Sequence, residues 1–468
     1  MHAESAYVFR HALLRDAAYQ LQLPGDRARL HALAFEVIEG LAGGRPPEPE
    51  RLDTAVPPAF RPHSSDPFAA ELAEHAAMAT GGSMRTLKKL YLRRSAESSE
   101  RAFEFENSER AWKDLAKLLP GADAGEALRR AGIQAASGGR PGRAELLYDK
   151  ALACFRRDAE RRREGIVLDD LAQLYQATGR IARAERTYGL ALEIHRRLGD
   201  RDREGIALGG LAGLYHQTGR VQASERAYVK ALAIHRQAGN RRSTGVVLEN
   251  LANLHQETGR LESAEQMYGQ ALALHRKLAR RRSEGMALGR LAGLYLGTGR
   301  IQQAEKAFLE ALAIHREVGN RRFLGVTLGN LSSLRLEQGN LEESARLSEQ
   351  ALGLHREVAD RASEGVELGR LADDFARTGQ FERAQSHFDQ ALAIHLEVGN
   401  RRFVGIDGCA QALMLLSLNR VEEARETWMK SSVILRDIGD TTELARVTAE
   451  MRPACARSGV PPFDEIHA

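Results

Sequence analysis

The chain has 468 residues, of which 43% are hydrophobic and 28% charged, and its formal net charge at pH 7 is only +4. Basic and acidic residues are interspersed, so the charge pattern indicates neither a nucleic-acid nor a membrane partner. No apolar run reaches the roughly 20 residues that span a bilayer, and no export signal begins the sequence. The three cysteines share no pairing or metal-ligand spacing. We therefore expect a cytoplasmic protein.

In chain order, five segments are predicted. A helical segment spans residues 1–42, and a Pro-rich linker follows at 43–68, since eight of the thirteen prolines precede residue 68. Residues 69–120 are expected to form irregular helical pairs. A repeat array is predicted over 121–440, and a closing helix with a loose tail is predicted over 441–468.

The array is built on a repeat of 40 residues that returns six times between residues 161 and 400 without insertion or deletion. One glycine, one leucine and one histidine recur in every repeat; the first copies are Gly165, Leu171 and His195. Such strict periodicity is typical of a solenoid, in which each repeat contacts only its neighbours. Degenerate repeats are expected at both ends of the regular six.

Each repeat is predicted to be a helical hairpin. Apolar residues at helical spacing from Leu168 to Tyr175 mark a first helix, and those from Ile181 onward mark a second. Gly179 between them is suited to end the first helix in a left-handed conformation. Glycine inside a helix costs about 0.5–1 kcal/mol relative to alanine. The recurrence of Gly165 in every repeat therefore predicts close packing against the preceding helix.

The spacing of large and small residues resembles that of the tetratricopeptide repeat, and it is carried by Leu168, Leu171, Ala172, Tyr175, Ala184, Tyr188 and Ala191. The repeat here is longer than the usual one of about 34 residues, and it is similar to the long-repeat subclass of that family. The resemblance implies an all-α fold, a right-handed α-solenoid of helical hairpins. It also implies a scaffold that binds a protein or peptide rather than an enzyme, with no cofactor.

In that family the first helix of each hairpin lines a concave groove. The corresponding outward positions vary here while the framework is constant, and we predict that they bind a peptide or helix: Asp169, Asp170, Gln173, Glu249, Asn250, Asn253, Arg290, Asn330, Arg370 and Asp373. Asparagine can pair with a peptide backbone, and arginine can bind a carboxylate bidentately. Glycines in the same columns, such as Gly293, Gly329 and Gly369, are expected to leave the groove roomy. The alternative is unconstrained variation of a surface.

The six histidines of the column cannot share a metal ion. Equivalent positions on successive hairpins lie at least one helix-packing distance apart, about 8–10 Å, whereas a zinc ligand lies about 2.0 Å from its ion. We interpret these histidines as packed or hydrogen-bonded, and no metal site is expected.

Arginines begin most repeats, and we expect them to pair with Glu317, Glu357 and Glu397 at the ends of the preceding helices. An anionic partner is the alternative. The column comprises Arg201, Arg241, Arg242, Arg281, Arg282, Arg321, Arg322, Arg401 and Arg402.

Two junctions between repeats lack the usual glycine. Ala279 and Ala359 stand where the other junctions have it, and the loss of that helix stop predicts a hinge or altered backbone geometry there.

Near the N-terminus, Phe9 and His11 precede a helix with Asp16 and Tyr19, and Leu30-His31 follows. These residues resemble the segment that joins the ATPase core to the repeat arm in bacterial STAND-type signalling ATPases. The sequence has no phosphate-binding loop, so no nucleotide activity is predicted. Two functions stay open: an interaction scaffold in bacterial signalling or regulation, or the sensor arm of a split or truncated STAND-type ATPase. An ATPase, kinase or cyclase module acting in trans is then a candidate partner.

Overall fold

The computed structural model describes residues 22–52 and 60–464. All the regular elements of this part of the chain are helices, so the predicted all-α class is confirmed. The chain divides into two compact units, Met1–Asn240 and Arg241–Ala468. The five predicted segments stay a prediction of domain organisation.

The N-terminal unit begins with helix α1 (Pro24–Leu41), and a 3₁₀ turn (Asp66–Phe68) precedes the next helix. The helices that follow are α2 (Ala69–Met78), α3 (Gly82–Arg101), α4 (Phe105–Ala116), α5 (Gly121–Ser137), α6 (Pro141–Arg157), α7 (Arg161–Ala177), α8 (Ile181–Arg197), α9 (Arg201–Gln217) and α10 (Val221–Gln237). Consecutive helices pack against each other, and one apolar core runs from Phe35 in α1 to Ala191 in α8.

The C-terminal unit contains five further hairpins and one closing helix. Its helices are α11 (Arg241–Glu257), α12 (Leu261–Lys277), α13 (Arg281–Gly297), α14 (Ile301–Glu317), α15 (Arg321–Glu337), α16 (Leu341–Glu357), α17 (Arg361–Arg377), α18 (Phe381–Glu397), α19 (Arg401–Ser417), α20 (Val421–Asp437) and α21 (Thr441–Arg457). In each hairpin of both units the odd-numbered helix is the first and the even-numbered helix the second. The predicted solenoid of helical hairpins is confirmed as the fold class.

Small residues let the two helices of a hairpin approach closely. Ala172 on α7 and Ala184 on α8 are fully buried, and the Tyr188 ring beside them is 1% exposed. A larger side chain at either alanine would overpack this contact. The turn between the helices follows from Gly179, whose φ is +71°. This conformation lets the Arg180 N–H donate to the Tyr175 carbonyl at 2.8 Å, which closes the end of α7.

The junctions without glycine have the same backbone geometry as the others, so the predicted hinge was wrong. Ala279 has a φ of +50° and Ala359 a φ of +53°, close to the +64° of Gly319. Each is followed by the same helix-ending bond, since the Arg280 N–H and the Asp360 N–H each donate at 2.9 Å to a histidine carbonyl. The packed hairpins on both sides impose the left-handed conformation, although it costs alanine about 1–2 kcal/mol.

Among the described helices, none combines the length and the apolar character that a membrane crossing requires.

Candidate functional site

The glycine column packs against the histidine column within each hairpin. A Cβ atom on Gly165 would lie 2.6 Å from Cε1 of His195, and the six regular hairpins all show this overlap at 2.6–2.8 Å. The prediction that these glycines face the preceding helix was therefore wrong, because the close contact is to the following one. His195 and its equivalents are buried, so they belong to the hairpin framework.

Two of the predicted ligand-binding residues are buried partners of these histidines. Oδ2 of Asp169 lies 3.0 Å from Nε2 of His195, and Oε1 of Glu249 lies 2.6 Å from Nε2 of His275. Asp169 is 3% exposed and Glu249 6%. Their side chains point into the hairpin rather than outward, which corrects the predicted orientation.

Not every buried histidine has such a partner. Burial, together with the charge of Arg282, lowers the pKa of His315 to about 4. That ring is therefore neutral at pH 7. In the part of the chain that the structure describes, no three His, Cys, Asp or Glu side chains are placed to hold a metal ion.

In the N-terminal unit, the other predicted groove residues lie on the first helix α7. Oδ2 of Asp170 accepts a hydrogen bond of 2.6 Å from Nη1 of Arg129 on α5. Gln173, one turn further along α7, is exposed. The structure thus places one predicted residue in an ion pair between neighbouring first helices and leaves the other open to solvent.

In the C-terminal unit, most of the predicted residues are held by protein partners. Nη1 of Arg290 lies 3.4 Å from Glu249, and the Tyr268 hydroxyl donates to Asn253. Nη2 of Arg370 donates to Oδ1 of Asn330 at 3.3 Å.

The two remaining predicted residues of this unit lie nearer the surface. Asn250 is half-buried on α11. Asp373, which is also half-buried, accepts a 2.8 Å bond from Nε of Arg377 one turn along α17.

Some glycines of the first helices do not leave empty space in the groove. A Cβ on Gly369 would lie 2.5 Å from Oδ2 of Asp407 in the next hairpin, and a Cβ on Gly329 would overlap the carboxylate of Glu367. An acidic side chain of the next repeat occupies the space beside each of these two glycines, so the expectation of a roomy groove was wrong there. It holds at Gly293, where a Cβ would meet nothing within 4 Å.

A cavity of about 180 Å³ lies between the first helices of the last hairpins and the closing helix. Its walls come from α15, α17, α19 and α21, and they include Ser333, Arg370, Asp373, Asp374 and Asp407. The structure thus joins two predicted residues, Arg370 and Asp373, with two buried aspartates that the sequence reasoning did not select.

A sequence signal for these aspartates existed. Asp374 stands in a column that is otherwise apolar, with Leu174, Leu214, Leu254, Leu294 and Leu334 in the preceding repeats. Asp407 stands in a column that begins with Val167, Ala207, Val247 and Ala287 but becomes polar at Thr327 and Glu367. A carboxylate in an apolar framework column, as at Asp374, is costly to bury and therefore indicates a special role.

Asp374 is held by a buried group of serines. Oγ of Ser344 donates to Oδ2 of Asp374 at 2.9 Å, and Oγ of Ser332 lies 2.7 Å from Oγ of Ser348. Asp374 is only 2% exposed. Burial raises the pKa of Asp374 to about 6, although the bond from Ser344 opposes the shift.

Asp407 is less well satisfied. Burial raises the pKa of its carboxyl, and His395 opposes the shift. Nε2 of His395 lies 3.2 Å from Oδ2 of Asp407, but the two atoms are not aligned as a hydrogen bond, so Oδ2 has no hydrogen-bond partner. The cavity therefore has a buried acceptor without a donor.

Arginines that begin three of the hairpins form ion pairs with the glutamates that end them. Nη2 of Arg281 lies 2.5 Å from Glu317 at the far end of the same hairpin, and Nη2 of Arg361 lies 2.8 Å from Glu397. The expected acids are correct, but each pairs with the arginine that begins its own hairpin rather than the next one. These side chains are exposed, so each pair adds little stability.

Comparison with known families gives the repeats their identity. Residues 203–277 and 283–357 match one tetratricopeptide repeat family, and residues 167–198 match another. These repeats are tetratricopeptide repeats. No curated protein matches the chain by sequence.

Solved structures show the same fold. A Rap protein complexed with Competence and Sporulation Factor is similar at a TM-score of 0.53 and 14% identity, covering 80% of this chain and 99% of that one. The apo quorum sensor NprR from B. thuringiensis has a TM-score of 0.51 at 14% identity, covering 70% and 92%. A STAND protein with a tetratricopeptide repeat sensor from Pyrococcus horikoshii has a TM-score of 0.49 at 14% identity, covering 83% and 65%. The first two likenesses, at such identities, show the fold alone.

The N-terminal motifs are only partly described. Phe9, His11, Asp16 and Tyr19 lie outside the described residues. His31 on α1 lies with its Nδ1 2.7 Å from Nδ1 of His75 on α2. It thus contributes to helix packing, as an inter-helical contact between two imidazole rings.

Proposed function

We propose that this tetratricopeptide repeat protein holds a peptide or a helix in the groove formed by the first helices of its C-terminal unit. Its role is binding without catalysis. The observation that carries the proposal is the cavity among α15, α17, α19 and α21, which has polar and charged walls within an otherwise apolar framework. Side chains of the second helices do not line it.

Ligand binding by a protein of this fold supports the proposal. The Rap protein of similar structure is complexed with Competence and Sporulation Factor, and we extend the capacity to bind a ligand to this chain. The setting that we propose is bacterial signalling or regulation, as the resemblance of the N-terminal segment to STAND-type arms implies.

The test is to block the groove with bulk rather than to delete contacts. Gly293 on α13 and Ser333 on α15 occupy the same column, one repeat apart. Gly293 has open space at its Cβ, and Ser333 lines the cavity. The full chain is immobilised and a displayed library of random twelve-residue peptides is selected on it. We expect the Gly293→Trp/Ser333→Trp variant to lose the peptides that the wild type captures.

The matched control places the same bulk on the second helices. Gly269 on α12 and Leu309 on α14 also share one column, and both are exposed. The Gly269→Trp/Leu309→Trp variant should keep every captured peptide. Equal losses in both variants would mean that the groove is not the binding surface, and failure of the wild type to capture any peptide would refute peptide binding.

A further inference from the structure

The framework of the hairpins is broken in one region of the C-terminal unit. The aromatic column of the second helices contains Tyr188, Tyr228, Tyr268, Phe308, Phe388 and Trp428, but α16 has Ser348 in its place. Ser348 is fully buried. Replacing a ring by a hydroxymethyl group removes apolar contacts and adds a polar atom, so this hairpin gives up core stability.

The hydroxyl of Ser348 is connected to the cavity by hydrogen bonds. Ser348, Ser332 and Ser344 form a buried chain of hydroxyls, and Ser344 donates to Asp374. Asp374 in turn lines the cavity. Substitutions in separate columns thus converge on one carboxyl group. Burying polar groups is unfavourable unless they are satisfied, and the convergence therefore indicates a ligand site rather than random drift.

The three arginines of the cavity each form an ion pair with a carboxylate other than its buried aspartates. Arg377 bonds Asp373 at 2.8 Å, Arg446 bonds Glu450 at 2.7 Å, and Arg370 bonds Glu367 at 2.9 Å. Asp374 and Asp407 are not in these arginine pairs, although Nε2 of His395 lies 3.2 Å from Oδ2 of Asp407. Within residues 22–52 and 60–464, neither aspartate has an arginine or lysine at ion-pair distance.

The carboxyls of the cavity also oppose one another. The charge of Asp373 raises the pKa of both Asp374 and Asp407, in addition to the larger effect of burial. The charge of Arg370 acts in the opposite direction on both groups. A positive charge placed between Asp374 and Asp407 would be attracted by both carboxylates. It could also supply the donor that Oδ2 of Asp407 lacks. A donor to a charged acceptor forms a strong hydrogen bond.

Building on the proposed function, we propose that the cavity binds a lysine or arginine side chain of the peptide between Asp374 and Asp407. The cavity volume of about 180 Å³ exceeds the ~150 Å³ that accommodates benzene in an engineered protein cavity. Gly369 is required for this arrangement, because any Cβ there would displace the carboxylate of Asp407.

The experiment uses the same library of random twelve-residue peptides on the full chain. We expect the captured peptides to share a lysine or arginine at one position. Replacing that residue by leucine in a synthetic peptide should raise the Kd at least tenfold, since truncating one partner of a buried charge pair is costly. The Asp374→Asn/Asp407→Asn variant should bind both synthetic peptides with similar affinity.

The control removes two acidic groups outside the cavity. Glu342 and Glu382 are exposed on the second helices α16 and α18. The Glu342→Gln/Glu382→Gln variant changes the net charge equally, and it should keep the preference for the basic residue. Each single variant, Asp374→Asn and Asp407→Asn, is measured too, with its melting curve, so that loss of fold is separated from loss of binding.

The outcomes distinguish this inference from the proposed function. Captured peptides that show no basic preference, but are lost in the Gly293→Trp/Ser333→Trp variant, would overturn the inference and leave the groove as the binding surface. A basic preference that survives in Asp374→Asn/Asp407→Asn would also overturn it, because the preference would then arise elsewhere. Failure of the wild type to capture any peptide would refute both.

Discussion

Gly245 lies directly against the ring of His275. A Cβ on Gly245 would come within 2.7 Å of Cε1 of that ring, a separation that packed carbon atoms do not tolerate. The histidine is fully buried and bonds Glu249, so it cannot move away without losing that partner. The glycine and histidine columns therefore depend on each other, which explains why both recur through the six regular repeats.

Gly245→Ala should destabilise the protein. Alanine in a helix is normally more favourable than glycine by about 0.5–1 kcal/mol. Here the added methyl group must displace the His275 ring, and overpacking of this kind costs about 1–3 kcal/mol. Urea or thermal unfolding of the two proteins measures the difference.

The control for this prediction is Gly269→Ala on the second helix of the same hairpin. Its Cβ would meet nothing within 4 Å, so the ordinary helix preference should apply and the variant should gain about 0.5–1 kcal/mol. Stabilisation by both substitutions would show that His275 yields easily, contrary to the packing argument.

Ala359→Gly should stabilise the chain. Ala359 has a φ of +53°, a conformation that costs alanine about 1–2 kcal/mol. Glycine relieves this strain but loses part of the gain to its more flexible unfolded state, so we expect a net gain of about 1 kcal/mol in unfolding free energy. The reverse change, Gly319→Ala at a φ of +64°, should lose a similar amount. Opposite signs in the two variants are the required result.

Leu251→Ala and Asn250→Ala separate the core from the groove on helix α11. Leu251 is 1% exposed, and its truncation should cost about 2–5 kcal/mol. Asn250 is half-buried, and its truncation should change the melting temperature little. Equal shifts in the two melting temperatures would mean that Asn250 belongs to the core.

Asp374→Asn should stabilise the protein at neutral pH. The pKa of Asp374 is raised to about 6 by burial, so the folded state holds this proton more tightly than the unfolded chain, whose Asp pKa is about 3.9. The contribution of Asp374 to stability therefore falls as pH rises from about 4 to about 6 and is then constant. Asparagine has no proton to release and can still accept the bond from Ser344.

The measurement is thermal unfolding of wild type and Asp374→Asn between pH 4 and pH 8. The melting temperature of the variant should exceed that of the wild type above pH 6, and the difference should shrink towards pH 4. A difference that is the same at every pH would show that Asp374 ionises as it does in water. A stabilising variant that loses peptide selectivity would also show that this carboxyl is retained for binding rather than for folding.

The sequence predicted the framework well because the same local pattern of residues recurs in every repeat. Leu171, Ala172 and Gly179 report helical spacing, close approach and a helix stop, and all three act within one hairpin. The groove was predicted less well. Asp169 and Asn330 occupy neighbouring columns of the first helix, yet one is buried against a histidine and the other bonds an arginine of the next repeat.

These outcomes differ because the burial of a polar side chain depends on which residues lie opposite it. The space beside Gly369 is filled because the next repeat supplies Asp407 at that point, and a small residue there would leave the space open. No rule that reads one helix at a time contains this information. Comparing columns between repeats would have pointed to Asp374 and Ser348, since each departs from an otherwise constant framework.

By itself, the sequence determined the helical hairpins, their order and the residues of their shared core, because these follow from periodicity over short distances along the chain. Only the tertiary structure decided which carboxyls are buried, which arginines are already paired and where a cavity remains. Asp374, Asp407 and the closing helix α21 meet at that cavity although they come from different hairpins. Their charges act on one another through space, and packing sets those distances.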